Sequence, residues 1–140
     1  MTLDSSLVGR SFPATSEHHV TPESIAAFAA AAGGAPAQVA PPTYPIVLAF
    51  EAMQTFLDAE QVPLHRIVHG EQRFTYARPV VAGDTLVATL EVSRLRQIGG
   101  NDIIGTLSTV TDADGELVCT ASATLVHRGE ADQEAAEEQA

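Results

Sequence analysis

The sequence predicts an α+β fold in which one antiparallel β-sheet wraps around one long central helix. Three observations lead there. Residues 46–57 read as a helix that is apolar around most of its circumference. From Ile67 onward the hydrophobic period becomes two, in segments joined by short turns. At 140 residues the chain has the length of a single domain and can bury a real core without disulfide staples. A helix that apolar must be covered on most sides. Strands joined by short turns are neighbours and antiparallel. A single sheet bowed around a single helix covers both apolar surfaces at once.

The elements follow in order. The opening segment, "MTLDSSLVGRSFPATSEHHV", has no apolar run long enough for a signal peptide, and nothing later is expected to span a membrane. "TPESIAAFAAAAGG" predicts a first helix. Thr21 suits the N-cap, Pro22 the first turn, and Glu23 complements the helix dipole. Ile25, Phe28, Ala29 and Ala32 recur at helical spacing, and Gly33 ends the run. Pro41, Pro42 and Pro45 hold the next segment extended. In the second helix Ile46, Val47, Ala49, Phe50, Met53, Phe56 and Leu57 are apolar, and only Glu51, Gln54, Thr55 and Asp58 form a polar stripe.

The strands come next. Gln72, Phe74 and Tyr76 alternate with Glu71, Arg73 and Thr75, and Leu86, Ala88, Leu90 and Val92 alternate with Val87, Thr89, Glu91 and Ser93. "IGGND" and "DADG" are hairpin turns, the second leading into a strand with Leu117, Cys119, Ala121, Ala123 and Leu125 expected on one face. The folded domain is expected over residues 1–129. Residues 130–140 carry five acids and no base, which predicts a solvated, disordered tail.

Charge and cysteine content exclude several functions. A formal net charge of −11 argues against nucleic acid and against an anionic membrane surface as partners. The single Cys119 excludes an internal disulfide and points to a reducing compartment, the cytoplasm. His18 and His19 are adjacent and project to opposite sides of a strand. His65 and His127 are isolated in the sequence. No metal-ligand spacing results. The glycines of "IGGND" match no dinucleotide fingerprint or phosphate loop, so no cofactor is expected, and Asn101 and Asp102 are assigned to that turn. There is no Gly-x-Ser-x-Gly elbow and no Cys/His nucleophile pair.

Two candidate sites remain. Glu51, one turn into the second helix, belongs either to its polar stripe or to the position of a helix carboxylate acting as base or nucleophile. His69 and Glu71 lie two apart on a strand and are expected on one face. They read as an acid–base pair, as ligand contacts, or as a hydrogen-bond cluster that seats the sheet on the helix. Gly70 between them suggests a bulge or a close backbone approach.

The motifs carry a resemblance. "FTYARPVVAGDTL", with Phe74, Pro79, Val80, Gly83, Asp84 and Leu86, resembles a pattern of hot-dog acyl-thioester enzymes. Most of that pattern is structural, since Pro79 and Gly83 shape a turn that Asp84 caps. "VHGEQRF", with His69, Gly70, Glu71 and Gln72, is more specific. It resembles the non-catalytic N-terminal half of double hot-dog enoyl-CoA hydratases. It is also similar to the MaoC-dehydratase N-terminal-domain family, grouped with the A subunit of (3R)-hydroxyacyl-ACP dehydratase. The similarity runs from "VGRSFPATSEHHVTPESIAAFA" to "LVHRG".

In catalytic members of that superfamily, an Asp and a His before the hot-dog helix act as general acid and base on the acyl chain. Here the corresponding stretch, "AAGGAPAQVAPPTYP", contains no Asp, Glu, His, Lys, Arg, Ser or Cys. Gln38, Thr43 and Tyr44 do not substitute, because an amide does not titrate and hydroxyls have unsuitable pKa values. It is also shorter than in relatives of the A-subunit group.

The resemblance therefore implies a half-site. The chain would be a non-catalytic subunit that shapes the substrate tunnel of a (3R)-hydroxyacyl-thioester dehydratase in fatty-acid metabolism. Its partner would be a MaoC-like catalytic hot-dog subunit, its substrate an acyl-CoA or acyl-ACP. His69, Gly70, Gln72, Phe50 and Met53 would contact substrate, and no residue of this chain would be catalytic. The alternatives are a stand-alone homodimeric thioesterase using Glu51, an atypical hydratase using His69 and Glu71, or an acyl-CoA-binding homodimer.

Overall fold

A computed structural model of the chain describes residues 3–33 and 39–129. Gln38 and the acidic tail 130–140 lie outside these described residues. The elements in chain order are β1 (His18–His19), α1 (Pro22–Ala32), α2 (Ile46–Ala59), β2 (Ile67–Tyr76), β3 (Thr85–Ile98), β4 (Asn101–Thr111) and β5 (Leu117–His127). They build a five-stranded sheet in the order β1-β3-β4-β5-β2, antiparallel throughout. The sheet curls around α2, which packs on β3 and β4. This is the hot-dog arrangement expected above.

Local signals act as the sequence predicts. The Thr21 side chain accepts from the Ser24 N–H at 3.0 Å, the Ser24 hydroxyl oxygen accepts from the Thr21 N–H, and the capping box is complete. Gly33 closes α1 at φ 83°, a left-handed conformation that costs glycine little. The Asp84 carboxylate accepts from the Val81 N–H at 2.9 Å and so caps the turn before β3.

The core lies between α2 and the concave face of the sheet. Leu48, Phe56 and Leu57 of α2 meet Leu86, Leu90 and Val92 of β3, Ile104 and Val110 of β4, and Leu125 of β5, all at most 1 % exposed. α2 itself is covered less completely than its composition predicts. Val47 and Phe50 remain 40 % and 46 % exposed, so an apolar strip of the central helix is only partly covered by the described residues.

One sheet edge is protected and the other is open. The segment 9–20 runs along β3, with backbone bonds from Gly9 to Val92, Phe12 to Leu90, Thr15 to Ala88 and Val20 to Asp84. β2, at the opposite edge, pairs only with β5 among the described strands. It is ten residues long, contains no proline, and presents Val68 and Tyr76 to solvent. Such an edge is a template for pairing with another chain.

Three expectations are corrected. Leu117 does not share a face with Cys119. A bulge in β5 at Val118, opposite Val110 and Thr111 of β4, puts Val118 in the core beside Cys119 and leaves Leu117 46 % exposed. Asp102 does not serve the Gly99–Gly100 turn, and His127 is not isolated. They meet across β4 and β5, with 2.9 Å between His127 Nδ1 and Asp102 Oδ2, and are 2 % and 1 % exposed. Asp102 also accepts from the Leu3 N–H (3.1 Å) and the Gln97 amide (3.2 Å), and the same amide donates to the Leu3 carbonyl. The cluster ties the N-terminal segment to three strands.

A charged cluster joins two turns. Arg78 donates to both carboxylate oxygens of Asp84 (2.9 and 3.1 Å) and to Asp112 (3.2 Å). Burial of Asp84 opposes its ionisation, but the Arg78 guanidinium and the Val81 N–H hold its carboxyl below the ordinary 3.8. Asp112 is lowered chiefly by the Glu116 N–H, and also by Arg78. A carboxyl depressed in the folded state adds stability that is present above its unfolded value and is lost as pH falls through the folded one. The melting temperature of the native chain should therefore fall as pH drops below 3.8. In Arg78→Met the loss should be smaller, because the guanidinium contribution is already gone. Parallel slopes in the two proteins would contradict this assignment.

Candidate functional site

Two adjacent rows of small side chains open a recess under α2. In one row Gln72 of β2, Ala123 of β5 and Thr106 of β4 lie side by side, and in the next Phe74, Ala121 and Ser108. The flanking rows carry the larger Leu125 with Ile104, and Cys119 with Val110. Ala123 and Ala121, with Thr106 and Ser108 opposite, cannot fill the gap that leucine and isoleucine fill in the row of Leu125 and Ile104. The roof is the α2 face formed by Ile46, Ala49, Phe50 and Met53, at the spacing of one helix face. His69 and Gln72 close the side nearest the open β2 edge. The free space is small, about 10 Å³, which is room for about one water.

The polar groups of the recess are specific. His69 Nε2 lies 2.9 Å from Gln72 Oε1. The amide nitrogen of Gln72 is buried and has no hydrogen-bond partner. Turning the amide over leaves its oxygen unpartnered instead. Thr106 and Ser108, 4 % and 2 % exposed, add two buried hydroxyl groups on β4.

The recess brings together His69, Gln72, Phe50 and Met53 from the sequence-derived candidates. Gly70 does not line it. The register shifts between His69 and Glu71, so Gly70 is an inserted bulge residue. His69 then pairs with Leu125, whose side chain is buried in the core, while Glu71 pairs with Thr124 on the opposite face. The expectation that His69 and Glu71 share a face is thus overturned, since one extra residue reverses the alternation. Glu71 forms an ion pair with the exposed Arg73 on the convex side. An acid–base pair of His69 and Glu71 is not available in this geometry.

Glu51 also lies away from the recess. Its carboxylate accepts from the Ser16 hydroxyl at 2.9 Å. Gln54 bonds Asp58 farther along the same stripe.

A further polar network escaped the sequence reading. His18 Nε2 lies 2.7 Å from the Tyr44 hydroxyl, and Ser24 Oγ lies 2.9 Å from the same oxygen. Phe28 packs edge-on against the Tyr44 ring at 5.4 Å. Burial lowers the pKa of His18, against a smaller opposing effect of Glu51. Tyr44 is 1 % exposed. The network pins β1 and α1 to the start of α2, and none of its groups lines the recess. Thr106 and Ser108 were missed too. Their signal was a run of in-phase polar residues, Asp102, Thr106 and Ser108, on a strand whose other inward positions are Ile104 and Val110.

Cys119 has no chemistry to offer. Burial pushes its thiol up to about 11, so little thiolate forms near neutral pH. A native sample at about pH 8 should resist alkylation and react in denaturant; rapid labelling of the folded chain would refute the burial. Among the described residues no group of three or more His, Cys, Asp or Glu side chains could hold a metal ion, and no helix is long and apolar enough to cross a membrane.

Comparison with known proteins agrees with this architecture. Residues 10–121 match the model of the FAS1-like dehydratase domain region. A UPF0336 protein of Streptomyces coelicolor is 40 % identical over 145 residues, covering 91 % of this chain and 97 % of the relative. One from Leifsonia xyli is 41 % identical over 141 residues, covering 89 % and 95 %. Among solved structures, the C-terminally truncated HadBC (3R-hydroxyacyl-ACP dehydratase) complex of Mycobacterium tuberculosis superimposes with a TM-score of 0.73 at 31 % identity, over 86 % of this chain and 96 % of that one. A MaoC-like dehydratase gives 0.75 at 27 % identity, over 89 % of this chain and 43 % of the other. With its sheet curled around α2, and with this match over most of its length, the chain is a hot-dog protein of the FAS1-like dehydratase region family.

Proposed function

We propose that this chain is a non-catalytic subunit of a (3R)-hydroxyacyl-thioester dehydratase, or of the enoyl-thioester hydratase that runs the reverse reaction. It acts in fatty-acid metabolism in the cytoplasm, beside a MaoC-like hot-dog subunit that carries the acid and base. The observation behind the reading is the composition of the segment leading into α2. Dehydration needs one group to move the C2 proton and another to protonate the departing C3 oxygen, each within hydrogen-bond reach. Residues 31–45 offer no carboxylate and no imidazole. The recess adds only His69, already bonded to Gln72.

Two features support a partner. β2 is an open edge ten residues long, and Val47 and Phe50 leave part of α2 uncovered. A second hot-dog chain set against both would extend the sheet and cover the apolar strip. The resemblance to a dehydratase complex accords with that arrangement. In it Phe50, Met53, His69 and Gln72 would form the wall facing the acyl group, with Gly70 at the bulge that turns His69 inward.

The test is hydration of crotonyl-CoA. The purified chain should show no turnover above buffer, and Glu51→Ala, His69→Ala and Glu71→Ala should leave that near-zero rate unchanged. Co-expression with a MaoC-like chain from the same genome should yield a co-purifying, active pair. Turnover by the isolated chain, lost in one of the three variants, would replace this reading with a stand-alone enzyme.

A further inference from the structure

We propose that the recess under α2 receives the oxygen-bearing part of an acyl group and does not receive a long alkyl tail. The inference rests on the reading of this recess as the substrate wall. A tunnel for an alkyl tail wants apolar sides, because each buried polar group without a partner costs free energy. This recess has four polar side chains on its sheet-side surface, His69, Gln72, Thr106 and Ser108. The hydroxyls of Thr106 and Ser108 belong to residues that are almost wholly buried. One end of the Gln72 amide is buried without a partner. An oxygen atom in the recess can accept from the amide N–H₂ or bond to the hydroxyls of Thr106 and Ser108, which line the same space.

Size agrees with polarity. The free space in this chain suits about one water-sized group, such as a single oxygen substituent. The tight rows on either side, Leu125 with Ile104 and Cys119 with Val110, close the recess along the strands. A hydroxyl or keto oxygen on the acyl chain would take the place of a bound water and keep its hydrogen bonds. A methylene chain would strand them.

Calorimetric titration with butyryl-CoA, 3-hydroxybutyryl-CoA and dodecanoyl-CoA tests this on the full chain, and inhibition of crotonyl-CoA hydration by the same compounds tests it on the co-expressed pair. 3-Hydroxybutyryl-CoA should bind about tenfold more tightly than butyryl-CoA, the worth of one good buried hydrogen bond. Dodecanoyl-CoA should bind no more tightly than butyryl-CoA. In Gln72→Met and in the isosteric Thr106→Val, the advantage of the hydroxyl compound should shrink to less than about threefold. Two variants are used so that misfolding of one does not obscure the result.

Affinity rising about fourfold per methylene, the ordinary gain from burying a CH₂, would overturn the proposal. So would an undiminished hydroxyl preference in both variants. If the pair hydrates crotonyl-CoA yet prefers dodecanoyl-CoA, only the recess assignment falls. If none of the three thioesters binds the chain or the pair, the subunit reading falls with it.

Discussion

Asp102→Ala should destabilise the chain by about 3–5 kcal/mol, the usual cost of removing one partner from a buried pair. For a chain of this size that lowers the melting temperature by roughly 10–15 °C. The carboxylate is 1 % exposed and accepts from His127, the Leu3 N–H and Gln97. Alanine leaves all three donors facing a hole. The Nε2 atom of His127 is already buried without a partner, so the ring would then have none at either nitrogen.

Asp102→Asn keeps the volume and one acceptor and should lose less. A double variant, Asp102→Leu with His127→Leu, removes both members of the pair and should recover part of the loss, because well-packed apolar residues often replace a buried polar pair without penalty. Thermal and urea denaturation of the four proteins measure the series. An Asp102→Ala protein within about 1 kcal/mol of native would show that the cluster does not hold the fold together.

The second large effect contrasts two phenylalanines on one helix. Phe56 is 0 % exposed and packs edge-on against Phe12 at 5.1 Å. Phe50 is 46 % exposed and roofs the recess. Phe56→Ala should cost about 3–5 kcal/mol, from lost transfer free energy plus the cavity left behind. Phe50→Ala should change the stability of the isolated chain by at most about 1 kcal/mol, because much of that ring already meets water. In the co-expressed pair the order of interest reverses. There Phe50→Ala should weaken association while leaving the fold of each subunit intact, which analytical ultracentrifugation at graded concentrations would detect. Equal destabilisation of the isolated chain by the two substitutions would mean that α2 is not buried on one side and bare on the other.

The caps and periods of the sequence determine the elements. Thr21, Pro22 and Gly33 bound α1, and alternation at Leu86, Ala88, Leu90 and Val92 marks the concave face of β3. These signals are local: each depends on backbone geometry within a few residues, so it survives in the sequence whatever the rest of the chain does. The curl of the sheet around α2 follows from the same local facts, because an all-round apolar helix and a one-sided sheet have few ways to cover each other. The candidate site was legible in part. Phe50 and Met53 are set by helix period, and His69 and Gln72 reach the same recess. The hydroxyls of Thr106 and Ser108 gave only a phase signal on their strand.

What the tertiary structure decided is which side chains meet. A bulge at Gly70 sends His69 inward and Glu71 outward, and another near Val118 turns Leu117 to solvent. A strand period of two holds only while no residue is inserted, and insertion is settled by the partner strand's register. Asp102 and Leu3 are 99 residues apart and Asp102 and His127 are 25 apart. Nothing in the chain near Asp102 distinguishes a turn residue from a buried anchor. That difference comes from low-dielectric surroundings assembled by β3, β4, β5 and the N-terminal segment together, where an unpaired carboxylate cannot remain and must find its donors.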